Sequence, residues 1–249
     1  MKMMNNIVLH IPHSSPYIPF YDGFIVWKQA INDEINQLTD WFTDELFDLP
    51  VPKIVTPFSR VFCDVERFED DSLEVMSRTG MGMCYTHLDN GELMRVVEPG
   101  LRERINSEFY FPHHQALEAM TTELLHNYGH VTVIDCHSFL DLPLNRDLNQ
   151  DMPRPDFCLG IDEYHTPKDL YLPVQDFLTS LGYKVLINNP YAGTIIPMKY
   201  YQKNKDVNGL MIEVNRKLYM TNSNGVVIKT ASYDNIRKTI KNIFQYLTM

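Results

Sequence analysis

Two histidines, a glutamate in an apolar run and a pair of arginines carry the chemical potential of this chain. His13 follows the run IVLHI (7–11) and His137 follows VTVIDC (131–136), and each precedes a serine. Two neutral imidazoles plus one carboxylate leave the fourth position of a tetrahedral zinc ion open to water. Zinc lowers the pKa of such a water to about 7, and a nearby carboxylate can take the proton and later deliver it to a leaving nitrogen. Glu213, in GLMIEVNR, is the candidate base, because a carboxylate in an apolar strand is costly unless paired or functional. A buried ion pair with Arg216 or Arg67 is the alternative. For the acidic ligand, Asp40 in LTDWFTDEL competes with Asp64 and Glu66 in RVFCDVER.

Arg67 and Arg216 follow those acids, and a guanidinium suits a substrate with a free carboxylate through two parallel hydrogen bonds. A structural ion pair is the competing reading for each. NNPYAGTIIP (188–197) has the composition of a loop that closes on a ligand, and Asn189 sits where a strand ends. His10, inside the first apolar run, reads as a satisfied core residue.

Positioning these groups requires strands. Apolar runs at 7–11, 53–57, 60–65, 131–136, 156–161, 183–189 and 209–215 are mostly continuous, as in strands covered on both faces. Helical spacing separates them at 27–48, 92–108, 112–128, 168–181 and 232–247, with Gly129 and Gly182 placed as C-terminal caps. This alternation predicts an α/β fold: three layers, α/β/α, around a mixed, mostly parallel central sheet. Ligands then sit beyond the carboxyl ends of the strands, and the candidate residues cluster at such ends. The length of 249 residues suits a single catalytic domain spanning 1–249.

The net charge of −10 argues against nucleic acid, which requires clustered Lys and Arg. No stretch approaches the roughly 20 apolar residues of a membrane helix, and MKMMNNIVLH lacks the form of a signal peptide. The expected partner is a small molecule, and the expected compartment the cytoplasm; the oligomeric state is not encoded in these patterns. Cys63, Cys84, Cys136 and Cys158 form no C-x-x-C pair and read as reduced, buried hydrophobes. Cys136 as a nucleophile is the alternative, but it and His137, as strand neighbours, would point to opposite faces.

Seven segments, in order, resemble the N-formylglutamate amidohydrolase family: IPHSS, LTDWFTDEL, FSRVFCDVERFED, FPHHQALEAM, VTVIDCHSF, NPYAGTIIPMKYY and GLMIEVNRKLYM. The resemblance implies a carboxypeptidase-like (phosphorylase/hydrolase-like) fold and zinc-dependent hydrolysis of a small N-acyl amino acid. It implies His13, Asp40 and His137 as ligands of one zinc ion, Glu213 as base, Arg67 as the anchor of a substrate carboxylate and His114 as a pocket residue. Glu66 stands where the family usually has asparagine. An extra negative charge there would repel a dianionic substrate and favour a neutral or cationic acyl amino acid. A metallopeptidase or amidase acting on peptides or cell-wall fragments, and a relative that binds without catalysis, are the alternatives.

Overall fold

Apolar runs without polar alternation become strands covered on both faces. The computed structural model describes residues 5–223 and 225–247. Its main sheet contains β1 (Ile7–Ile11), β2 (Lys53–Val55), β3 (Val131–Phe139), β4 (Phe157–Gly160), β5 (Val185–Ile187) and β6 (Val207–Asn215), in the spatial order β2-β1-β3-β6-β4-β5. β2, β1, β3 and β6 are mutually parallel, β4 pairs antiparallel with β6, and β5 runs parallel to β4. The predicted mixed, mostly parallel sheet is therefore present.

Each strand divides its side chains between two layers. Ile7, Leu9, Ile134, Cys136, Leu210, Ile212 and Val214 pack against α5 (Lys168–Ser180) and α6 (Tyr233–Ile243). Val8, Val131, Val133 and Val207 face the other way, with Leu124 of α4 (Phe111–Tyr128). On that second face the period of two continues from Val131 and Val133 to Asp135 and His137. Apolar packing thus gives way to polar chemistry along a single strand. A third cluster joins Ile31, Ile35 and Leu38 of α1 (Lys28–Leu38) to residues 58–65, 81–94 and 105–110.

Several elements depart from the sequence pattern. The run at 60–65 is a set of turns, in which Phe62 N–H and Cys63 N–H both donate to Ser59 O (3.0 and 3.2 Å). Its apolar side chains are buried in the third cluster, and periodicity alone does not separate a buried turn from a buried strand. The helix expected from residue 92 begins only at Pro99, as α3 (Pro99–Ile105); proline suits a first helical turn, and residues 93 and 95 instead form isolated bridges to His87 and Phe24. The helix expected over 27–48 breaks after Leu38 and resumes as α2 (Thr43–Leu46), which leaves Asp40 on a turn. A hairpin of β7 (Met220–Ser223) and β8 (Val226–Lys229) follows the main sheet. Gly129 caps α4 at φ 75°, and all four cysteines are buried and free.

Gly160 ends β4 where the 188–197 loop crosses. A Cβ there would meet Gly193 O at 2.2 Å and Met211 Cβ at 2.9 Å, so backbone must move. We predict that Gly160→Ala lowers stability by about 1–3 kcal/mol. Urea unfolding reads this as an earlier midpoint; an unchanged midpoint would mean that the loop moves aside without cost.

Candidate active site

Parallel pairing places Asp135 beside His10 and His137 beside Glu213. Directly paired residues share a face, so all four side chains project toward α4. His137 lies inside β3, two residues before its end. His13 comes from the loop after β1, and the turn after α1 brings in Asp40, whose N–H donates to His13 O at 2.9 Å. The turns at 60–67 contribute Asp64, Glu66 and Arg67.

The rings of His13 and His137 lie 5.0 Å apart, although the residues are far apart in the chain. His13 Nε2 donates to Asp64 Oδ1 at 2.8 Å, and its Nδ1, fully buried, has no hydrogen-bond partner. His137 Nε2 lies 3.0 Å from Asp135 Oδ1 and 3.1 Å from Glu66 Oε2, while its Nδ1 lies 3.1 Å from Asp40 Oδ2. Burial disfavours charge on His137, but Glu66, Asp135 and Asp40 overcome it and raise its pKa well above the usual value.

Three carboxylates were candidate ligands. Asp64 is fully spent: besides His13 and Glu66 N–H, it accepts from Tyr85 Oη at 2.6 Å and Arg60 at 2.9 Å. Asp40 Oδ2 lies 3.8 Å from His13 Nδ1 and accepts Ser138 N–H at 3.1 Å, and its Oδ1 accepts from Arg216 at 2.7 Å. Burial raises the Asp40 pKa, but His137 and Arg216 outweigh it and bring it down to about 2. Glu66 Oε2 lies 3.7 Å from His13 Nδ1, and the ligand atoms of His13, Glu66 and His137 all fall within 4.8 Å of one another. Both Asp40 and Glu66 thus flank the histidine pair, on different nitrogens of His137.

These residues fit a divalent cation. Asp40, Asp64, Glu66 and Asp135 meet Arg60, Arg67 and Arg216, four carboxylates against three guanidiniums, with the Glu213 carboxyl beside them. The orphaned Nδ1 of His13 supplies a free lone pair. A second compact group, His10, Glu66 and Asp135, is closed on itself: both nitrogens of His10 and both oxygens of Asp135 already have partners.

Glu213 is buried, and its Oε2 has no hydrogen-bond partner. Desolvation pushes its pKa up to about 8; His137 opposes this, and Asp40 and Glu66 add to it. Arg67 lies 3.7 Å from Asp64, and its Nε has no hydrogen-bond partner. Arg216 differs, since it donates to Asp40, to Ser138 Oγ and O, and to Gln37 O; its guanidinium holds Asp40 in place. His114 Nε2 is buried without a partner, and burial, with His10 nearby, lowers its pKa to about 4. Asn189 bonds Asn149 at 3.4 Å. It follows β5, which runs against β3 and β6. Leu186 falls in the row of His137 and Glu213 through Cys158; at Asn188, with φ 53°, the chain turns, and the Asn189 backbone faces Cys158.

The sequence pattern passed over Asp135 and His113, and it read His10 as a satisfied core residue, which its burial and its two hydrogen bonds bear out. Asp135 carries the same signal as Glu213, a carboxylate in an apolar run, and stands two residues from His137.

Residues 5–220 match the family model for N-formylglutamate amidohydrolase. The fold is similar to the crystal structure of N-formylglutamate amidohydrolase from Ralstonia eutropha JMP134, at 22% identity and TM-score 0.83, covering 98% of this chain and 92% of that one. It is also similar to a gene product of Agrobacterium tumefaciens, at 14% identity and TM-score 0.65, covering 98% and 92%. Comparison with curated proteins gives no match.

The Asp40–Arg216 pair predicts a stability effect. Arg216→Met strands a buried carboxylate and is expected to cost about 3–5 kcal/mol, read as an earlier urea midpoint. Because the folded pKa of Asp40, about 2, lies below its ordinary value of 3.8, the difference between wild type and variant is full above about pH 4 and shrinks as pH falls toward 2. A variant as stable as wild type at pH 7 would remove this ion pair as a support of the site.

Proposed function

We propose, from the premise that this chain belongs to the N-formylglutamate amidohydrolase family, that it is a metal-dependent amidohydrolase cleaving the amide of a small N-acyl amino acid. The observation that carries the reading is the orphaned Nδ1 of His13 beside His137, with carboxylates set about both rings. His13 and His137 would hold the ion. Asp40 is the proposed third ligand, because Asp135 takes Nε2 of His137 as Asp64 takes Nε2 of His13, which turns both Nδ1 atoms toward Asp40. Two imidazoles and one carboxylate suit zinc. When bound, the cation supplies Lewis acidity and makes water acidic enough to act as a nucleophile near neutral pH.

The chain's own residues do the rest. Glu213 takes a proton from the attacking water as its oxygen bonds to the acyl carbon. As the C–N bond breaks, the same proton passes to the departing nitrogen, which releases the free amino acid and the acid derived from the acyl group. The raised pKa of Glu213 suits a group that must both accept and return a proton. Arg67, with its unpartnered Nε, anchors the α-carboxylate. Glu66, only 15% exposed beside His137, adds negative charge to the cleft and selects against a second carboxylate on the substrate. A neutral or cationic N-acyl amino acid fits that field better than N-formylglutamate.

Metal analysis of the purified, zinc-supplemented protein is expected to find about one equivalent of zinc; none would end the metal reading. Glu213→Gln should retain the metal and lose turnover by about a hundredfold or more, and an active variant would remove Glu213 as base. Asp40→Asn should weaken zinc binding, whereas Glu66→Asn should leave zinc in place and lower KM for dianionic N-acyl substrates; the opposite pattern would make Glu66 the ligand. A panel of N-formyl, N-acetyl and N-succinyl amino acids beside short peptides tests the substrate class, and products from peptides alone would favour a peptidase.

A further inference from the structure

Behind the site, three groups form a hydrogen-bonded line that ends on His137. His113 Nδ1 lies 3.3 Å from Thr56 Oγ1, and His113 Nε2 lies 2.8 Å from His10 Nε2. His10 Nδ1 lies 2.8 Å from Asp135 Oδ1, and that oxygen lies 3.0 Å from His137 Nε2. Every side chain in the line is buried. The line crosses three elements: His10 on β1, Asp135 and His137 on β3, and His113 on α4. Asp135 Oδ2 also accepts Ile195 N–H at 3.2 Å, so this carboxylate does not rotate freely.

We propose that Asp135, His10 and His113 are positioning residues that hold His137 as its Nε2–H tautomer, so that its Nδ1 lone pair faces the ion beside Asp40. The proposal rests on the reading of His13 and His137 as metal ligands. The polarity of the line follows from its members. A carboxylate only accepts hydrogen bonds, so the nitrogens facing Asp135, His10 Nδ1 and His137 Nε2, carry hydrogens. In this line His10, with its hydrogen on Nδ1 toward Asp135, offers Nε2 as the acceptor, and His113 Nε2 is the matching donor. His113 Nδ1 in turn accepts from the Thr56 hydroxyl. Burial and neighbouring imidazoles drive the His113 pKa down to about 2, in keeping with a neutral ring that has one N–H to give. A bound cation would require a neutral ring at His137, and the hydrogen-bonded line would then run in one direction, from Thr56 to Asp135. His13 needs no such line: Asp64, gripped by Tyr85 and Arg60, fixes its tautomer directly.

The test uses zinc-loaded, histidine-15N-labelled protein and long-range proton–nitrogen spectra, which report the protonated nitrogen of each ring. The expected result is hydrogen on Nε2 of His137, on Nδ1 alone of His10 and on Nε2 alone of His113. A zinc-loaded His137 protonated on Nδ1, or His10 protonated on both nitrogens, overturns the proposal. In parallel, zinc affinity is measured by competition with a chelator. Removing such an outer partner typically weakens metal binding by about 10–100-fold. That loss is expected for His113→Leu, with His113→Gln, which keeps a donor near the Nε2 position, recovering most of it. Wild-type affinity in the leucine variant, or a glutamine variant no better than leucine, also overturns the proposal. If His113→Leu fails to fold, the spectra of the wild type decide alone. Wild-type protein that binds zinc with the wrong tautomer sinks only this proposal; wild-type protein that binds no zinc sinks it together with the metal reading.

Discussion

Asp64 and Asp135 each take the Nε2 edge of one imidazole, and the rest of the site depends on that constraint. An imidazole free to rotate presents either nitrogen, but one braced at Nε2 presents only Nδ1. Both braces are buried, and both are themselves held: Asp64 by Arg60 and Tyr85, Asp135 by His10 and the Ile195 N–H. Burying so many carboxylates in one place is expensive unless each is paired. The guanidiniums of Arg60, Arg67 and Arg216 offset part of that cost, and a divalent cation would offset the remainder.

The sheet makes the arrangement possible. β3 buries apolar side chains on both faces along its first half. On the α4 face it then switches to Asp135 and His137, while the opposite face stays apolar through Ile134 and Cys136. Neighbouring strands follow the same switch in register, with His10 on β1 and Glu213 on β6. α4 closes this face and brings His113 to His10. The polar cluster is therefore a continuation of the core, and its rigidity is that of the sheet. No described helix is long and apolar enough to cross a membrane.

Glu66 is the feature that sets this chain apart from the motif it otherwise follows. Its carboxylate stands 3.1 Å from His137 Nε2 and is 15% exposed.

The sequence by itself marked candidate residues, because burying a charged or imidazole side chain in an apolar run is costly and therefore visible as an exception. His13, His137 and Glu213 stood out that way, and the strand–helix alternation was legible from continuous apolar runs. Asp135 and His10 gave the same signal, but their role depends on facing each other across β1 and β3, and register is a property of paired strands. The 60–65 run read as a strand because burial looks alike in strands and turns. The reversed direction of β4 and β5 is recorded in no local pattern. Tertiary structure alone decided which carboxylate meets which ring nitrogen: Asp40, Asp64, Glu66 and Asp135 are chemically alike, and only their placement a few ångströms from one nitrogen or another separates them.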